Sequence, residues 1–384
     1  MINLSSIEIA NKNLVVRVDM NVPMQNGTIL DTTRIEACMP TINYALENNA
    51  KILLISHLGR PTEGSYEERF SLKPVAQYLA RITNKPCEVI NDLDSIEIFN
   101  SESSIQLLEN IRFFKGEKEN CQDLGRKLAK LGDIYVFDAF GTAHREQAST
   151  HSAIKSASIA CAGLLLEREE SFLSKALKSY ESPYIAIIGG AKVSTKLELI
   201  KHINSVADHI IVGGGIANTF LKASGFNIGK SLVEDSMIDL AKEILDQGKI
   251  ILPNTVITSK TFEGEDIKET QVNSVKNEEM ILDLNLEDKT IDLIVNANTI
   301  LWNGPMGVFE NNLFANGTKS LSKGIANSNA FSLAGGGETL SAINKFIKSD
   351  DVSYCSTGGG AFLEFMEGKI LPSIDILNSK VTGS

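Results

Sequence analysis

The sequence predicts an α/β protein of two doubly wound domains with parallel sheets, joined by a connecting helix and hinge. Three observations carry that prediction. The chain has 384 residues, more than one hydrophobic core usually organises. Short runs rich in Val and Ile recur with helix-length segments between them, as expected of strands buried on both faces and linked by helices. The two parts also differ in composition: all nine arginines lie at or before Arg168, while 21 of 29 glycines follow it. Compositional drift explains a bias more easily than a complete absence, so the two parts are expected to bind different things.

Taken in order, the first-half runs are VVRV (15–18), ILLIS (52–56), IQLLE (105–109) and IYVF (134–137). Segments such as RIEACMPTINYALENN and SLKPVAQYLARI lie between them with helical period. In the second half the runs are YIAII (184–188), HIIV (209–212), TVIT (255–258), TILW (299–302), FSLA (331–334) and SYCS (353–356). LLLEREESFLSKALKSYES is charged, favours helix and ends just before Pro183, which makes it the expected connector. The boundary is therefore placed within 164–182, with domains at 1–168 and 169–371.

A net charge of −11 argues against a general nucleic-acid or anionic-membrane surface, though not against a local basic pocket. The five cysteines are scattered without a C-x-x-C pair, which points to a reducing compartment rather than a disulfide framework or zinc ribbon. No signal-like segment is visible, and no run reaches the roughly 18 apolar residues of a membrane span. The expectation is a soluble, cytoplasmic protein.

Ligands of open parallel sheets bind beyond the carboxyl ends of the strands. In the first half those positions hold Asp19 and Asn21, His57 and Arg60, Asn110 and Arg112, then Asp138, His144 and Arg145. Arginines converging from several strand ends form a fork-shaped donor set for a small polyanion. Asp19 and Asn21 are candidates to accept hydrogen bonds from a hydroxyl. Any one of these arginines alone would be read as a surface ion pair.

The second half places glycine turns at the same positions: IAIIGGAKVSTK, IIVGGGIAN, FSLAGGGET and YCSTGGGAF. Glycine admits a ligand close to the backbone, and helix N-termini attract phosphate. Lys192 and Lys196, four apart, are expected on one helix face beside a polyphosphate. The glycines equally suit tight strand-to-helix packing. TILWNGPMGVFE holds Trp302 and ends at Glu310, a candidate for ribose hydroxyls unless the segment is only a rigid turn. GFNIGKS lacks the first glycine of a P-loop because Ser224 stands there; no G-x-G-x-x-G or G-x-S-x-G occurs, and the histidines lack metal-ligand spacing. An anion site on one domain and a nucleotide-phosphate site on the other together suggest phosphoryl transfer.

VRVDMNVP, SHLGRP, LLENIRF, DAFGTAHR, GGAKV, WNGPMGVFE and STGGGAFLEFMEGK, in that order across nearly the whole chain, resemble the phosphoglycerate kinase family. The resemblance implies two Rossmann-like domains and reversible transfer between ATP and 3-phosphoglycerate, giving ADP and 1,3-bisphosphoglycerate, in glycolysis and gluconeogenesis. It implies Mg²⁺ with ATP or ADP, small-molecule partners only (no nucleic acid, no membrane), a monomer, and a final segment, 372–384, that packs back on the first domain. Asp19, Asn21, Arg34, His57, Leu58, Gly59, Arg60, Arg112 and Arg145 resemble the residues that hold 3-phosphoglycerate. Arg34 resembles the arginine that steadies the phosphoryl group in flight, with Lys192, Gly336 and Gly337 as its catalytic companions. Lys192, Lys196, Gly213, Gly214, Asn303, Glu310, Gly336, Gly337, Glu338 and Thr339 resemble nucleotide ligands, and Glu338 the metal-associated carboxylate.

The chain departs from the family pattern at GGGET, where GGGDT is usual, at Gln147 and Thr195, and around 281–290. Two alternatives remain: a non-catalytic scaffold of the same family, and a two-domain kinase acting on another small acid.

Overall fold

A computed structural model describes residues 1–100 and 103–382. The chain forms two compact units, Met1–Ser171 with Ile370–Ser384, and Phe172–Lys369.

In the first unit, six strands form one parallel sheet: β1 (Asn13–Val18), β2 (Lys51–Ile55), β3 (Cys87–Ile90), β4 (Ile105–Leu108), β5 (Ile134–Asp138) and β6 (Ala160–Ala162), in the order β3-β4-β2-β1-β5-β6. Alternation fails in these strands because helices cover both faces, so apolar side chains are wanted on each. Helix α1 (Thr33–Glu47) follows β1, begins at the Asp31 carboxylate that accepts from the Thr33 N–H at 2.8 Å, and buries Ile35, Cys38, Ile42 and Ala45. Helix α2 (Lys73–Thr83) starts with Pro74 in its first turn, where a missing N–H costs nothing. The arginine-bearing ends of β1, β2, β4 and β5 lie side by side, because those four strands are neighbours in the sheet. Helix α3 (Gln122–Ala129) completes the crossover into β5.

Helix α4 (Leu164–Lys178) occupies the expected connector, and the change of unit falls within it. Its N-terminus is held by Asp138 at the end of β5, which accepts from the Leu166 N–H at 3.0 Å.

In the second unit the chain runs through β7 (Tyr184–Ile188), α5 (Leu197–Val206), β8 (His209–Val212), α6 (Gly214–Ala223), α7 (Ile238–Leu245) and β9 (Ile250–Ile251). Three strands follow, β10 (Thr255–Ser259), β11 (Lys268–Gln271) and β12 (Met280–Asn285). The chain then resumes with α8 (Asp288–Val295), β13 (Thr299–Asn303), α9 (Asn316–Ala326), β14 (Phe331–Gly335), α10 (Gly337–Phe346), β15 (Tyr354–Ser356) and α11 (Gly360–Met366). The main sheet has the order β9-β8-β7-β13-β14-β15 and is parallel throughout. Strand order therefore reverses between β7 and β13, the place where a doubly wound sheet opens a crevice.

The run at 255–258 does not join that sheet. It becomes β10, the centre of an antiparallel sheet ordered β11-β10-β12. Its burial alternates at first and its partner β11 is mostly exposed, the pattern of a sheet with one wet face. A short apolar run cannot reveal by itself whether its partners are parallel. Helix α12 (Pro372–Thr382) belongs to the first unit: Ile374 and Leu377 are buried, as is Leu371 just before it, and the Ser373 N–H donates to the Ala143 carbonyl at 3.1 Å.

Candidate active site

In the first unit, Arg112 and Arg145 follow strand ends, Arg34 comes from a helix, and neighbours fix the loops that carry them. Asn110, at the end of β4, accepts from the Leu58 N–H at 3.2 Å and the Arg112 N–H at 3.1 Å, and donates to the Leu58 carbonyl at 2.8 Å. This one amide locks the loops after β2 and β4 together. Gly59 takes a left-handed φ of +59°, which glycine adopts without strain. Its N–H donates to Asn21 Oδ1 at 2.8 Å, and its carbonyl accepts from Arg112. Arg34, from the first turn of α1, meets Asp19 at 3.0 Å.

The cluster is strongly cationic. Burial, reinforced by Arg145 and Arg17, pulls the Arg112 pKa down to about 10, and Arg60 adds to the same repulsion. His57 is held well below its ordinary pKa, first by burial and then by Arg17, Arg112, Arg145 and Arg34. Its uncharged form is therefore favoured, so it does not add one more cation to the cluster. Asp19 and Asn21 spend much of their accepting capacity inside the protein, Asp19 on Arg34 and the Asn21 N–H and Asn21 on Gly59. Leu58 is buried with its backbone tied to Asn110, so it shapes the loop. Sequence reasoning missed Arg17 and Glu117, both 0 % exposed beneath the cluster. An arginine inside an apolar strand was the available signal.

In the second unit, a cleft of about 180 Å³ opens at the reversal of strand order, with Gly190, Gly214, Leu232, Phe262, Glu310 and Glu338 among its walls. The backbones of β7 and β13 approach so closely there that a Cβ on Gly189 would strike Pro305 and one on Gly304 would strike Gly189. Gly213 is packed in the same way, against Pro305 and Met306, and the Gly214 N–H donates to the Met306 carbonyl at 2.8 Å. Gly189, Gly213 and Gly304 thus allow close backbone packing, and Gly214 also lines the cleft. Gly336 and Gly337 differ: Gly336 caps α10 with a φ of +96°, and a Cβ on Gly337 would meet nothing within 4 Å. The opening N–H groups of α10 have no intrahelical partner, the kind of helix start that attracts anions.

Lys192 and Lys196 do not share a helix face, because α5 begins only at Leu197. The preceding residues form a turn, held by the Lys196 N–H on the Val193 carbonyl at 2.9 Å and by the Ser194 N–H on Glu234 at 2.8 Å. Lys192 stays exposed. The Lys196 ammonium turns inward to the carbonyls of Gly189 and Asn303, the latter at 3.1 Å. Burial lowers its pKa to about 8, against the opposing pull of Glu338. Asn303 donates to the Gly335 carbonyl at 2.7 Å, leaving its buried Oδ1 unpartnered. Thr339 is buried and accepts from the Gly304 N–H at 2.8 Å, which ties the β13 turn to α10. Trp302 is a core residue bonded to the Gly304 carbonyl at 2.9 Å, so its turn is rigid, while Glu310 stands exposed at the cleft. Among the described residues, no three His, Cys, Asp or Glu side chains group as a metal cage.

Two doubly wound units, one with a cluster of arginines and one with a glycine-turn cleft, define a phosphotransferase acting on small molecules. A model of the phosphoglycerate kinase family matches residues 4–369. The chain is 49% identical over 390 residues to phosphoglycerate kinase of Francisella philomiragia, covering 99% of both chains. It is 50% identical over 388 residues to that of Francisella tularensis subsp. tularensis, covering 99% of this chain and 98% of that one. Phosphoglycerate kinase from Coxiella burnetii superposes with a TM-score of 0.93 at 44% identity, covering 99% of each chain. The enzyme from Pyrococcus horikoshii OT3 superposes at 0.84 with 32% identity and full coverage of both. The chain belongs to the phosphoglycerate kinase family. It is a kinase with a carboxyl acceptor, transferring a phosphoryl group between ATP and 3-phosphoglycerate in glycolysis.

Proposed function

We propose that the first unit binds 3-phosphoglycerate through Arg34, Arg60, Arg112, Arg145 and His57, with Asp19 and Asn21 toward its hydroxyl. The second unit binds the nucleotide: Lys192, Lys196 and the α10 N-terminus take the phosphates, and Glu310 takes the ribose. The observation that carries this reading is the concentration of Arg17, Arg34, Arg112 and Arg145 around His57, which burial first and then those four cations hold well below its ordinary pKa. Such a field is costly unless a polyanion settles it.

The residues of the second unit fit Mg²⁺ brought in by the nucleotide. That ion keeps most of its water and needs only one or two carboxylates besides phosphate. Glu338 is exposed in the first turn of α10, beside the open space at Gly337. Bound there, the ion neutralises phosphate charge.

In the reaction, a carboxylate oxygen of 3-phosphoglycerate forms the new bond to the γ-phosphorus as the bond to the β-phosphate oxygen breaks, releasing ADP. The carboxylate is already ionised at neutral pH, so no general base is required. The side chains orient both reactants and offset charge on the equatorial oxygens. Transfer needs both reactants in one water-poor space, so we include closure of the units about α4 in the reading. The enzyme is read as a monomer working in the cytoplasm; light scattering at the mass of a dimer would refute the first point.

The test is a coupled assay of Mg-ATP with 3-phosphoglycerate for the wild type, Arg34→Ala and Glu338→Asp. Arg34→Ala is expected to lower kcat on the order of 10²- to 10³-fold, as loss of a transition-state donor does. Glu338→Asp should keep turnover but shift its Mg²⁺ dependence. Full kcat in Arg34→Ala would remove Arg34 from the transition state. An unaltered Mg²⁺ curve in Glu338→Asp would remove Glu338 from the metal.

A further inference from the structure

Beneath the arginine cluster runs a buried chain of hydrogen bonds whose direction can be read end to end. Glu117 is 0 % exposed and accepts from Ser149 twice, from its N–H at 2.9 Å and from its hydroxyl at 2.6 Å. Ser149, having given its proton to Glu117, accepts from Arg17 Nε at 2.9 Å. Arg17 also bonds the Val18 carbonyl, and its remaining nitrogen lies 3.4 Å from His57 Nδ1. Arginine has no acceptor, so Nδ1 must accept and the ring proton must sit on Nε2. Asp19, the carboxylate that faces the same ring, is 3.9 Å from Nδ1 and out of hydrogen-bond range. The described residues make no hydrogen bond to Nε2.

We propose that Arg17, anchored through Ser149 to Glu117, is a positioning residue that fixes the His57 tautomer, so that Nε2–H is presented to the anionic substrate as a donor at every working pH. This rests on the reading of His57 as a ligand of 3-phosphoglycerate. Each member of the chain has a distinct task. Glu117 supplies the counter-charge that lets an arginine lie fully buried. Ser149 sets the distance, and Arg17 polarises the ring. The groups around His57 agree in sign: Arg17, Arg112, Arg145 and Arg34 all oppose its protonation, and Asp19 is neutralised by its own pair with Arg34. The consequence is a substrate pocket whose donor pattern does not change between mildly acidic and mildly basic conditions, although a histidine sits in its wall.

The five histidines make the test tractable. ¹⁵N-histidine-labelled full-length enzyme, free of substrate, is titrated by NMR, and the ring-nitrogen shifts of His57 report charge and tautomer directly. Wild type should show the neutral Nε2–H form throughout, from about pH 6 to about pH 8, with a flat KM for 3-phosphoglycerate over the same range. Arg17→Met, which keeps volume and removes the donor to Nδ1, should let the ring proton sit on Nδ1 as well, and its KM for 3-phosphoglycerate should rise by roughly fivefold, about the worth of one hydrogen bond. Ser149→Ala, a smaller change, should loosen the tautomer in the same direction and serves if Arg17→Met does not fold. A wild-type His57 with its proton on Nδ1, one that titrates in that range, or one unmoved in both variants would overturn the proposal. His57→Gln with an unchanged KM would instead sink the substrate-ligand reading and the functional part of the proposal, while the tautomer, measured without substrate, still decides the rest.

Discussion

At the scale of single residues, burial decides what each charged group can do. Lys196 pushes its ammonium against two backbone carbonyls in a part-buried site, so its pKa falls to about 8. A polyphosphate in the cleft favours the charged form and raises that pKa again. Nucleotide binding near pH 8 should therefore take up a proton, and affinity should weaken as pH rises through the free-enzyme value. Calorimetry in two buffers of different ionisation enthalpy reads the proton directly. Lys196→Arg, charged throughout, should show none, and equal uptake in that variant would place the titration elsewhere. The same depressed pKa acts on stability in the unusual direction. The charged form is disfavoured in the fold, so the contribution worsens as pH falls from the lysine's unfolded value, 10.5, toward about 8 and is constant below.

Among elements, the two kinds of glycine turn separate packing from binding. At Gly213 a methyl group would press into the backbone of Pro305 and Met306. Gly213→Ala should cost about 1–3 kcal/mol, the usual range for overpacking, and lower the melting temperature. At Gly337 a methyl group meets open space. Gly337→Ala should melt like wild type while the KM for ATP rises, because the added carbon occupies the approach to the α10 N-terminus. If the two variants exchange behaviours, this division of labour is wrong. Helix α5 shows the same logic in another form. Its start at Leu197 leaves the lysines on a turn, since Ser194 and Lys196 bond across the loop instead of continuing a helix.

For the whole molecule, the first unit is discontinuous in sequence. Helix α12 contributes buried Ile374 and Leu377 and reaches Ala143, which immediately precedes His144 and Arg145. The Lys380 ammonium donates to the Ala157 carbonyl at 2.7 Å. Removing 372–384 should destabilise that unit by about 2 kcal/mol for each apolar side chain lost from burial, and should raise the KM for 3-phosphoglycerate more than that for ATP. Equal effects on both substrates, seen in the coupled assay, would show that the segment does not act through the arginine loop.

The amino-acid sequence alone carries the parallel α/β class, most of the strands and the residue types at their carboxyl ends. These follow from local causes: strands covered on both faces must be apolar throughout, and a ligand crevice must be lined where the strands stop. It also held the family-specific segments from VRVDMNVP to STGGGAFLEFMEGK. Only folding decided which glycines pack and which stay open, that 255–259 pairs antiparallel, that Lys192 and Lys196 part company, and that His57 sits above a buried Arg17–Ser149–Glu117 chain. Each of these depends on a partner far away in the chain, 132 residues in the case of Arg17 and Ser149. Periodicity reports which side of an element is buried, but the distance and charge of what lies against it are set only when the chain has folded.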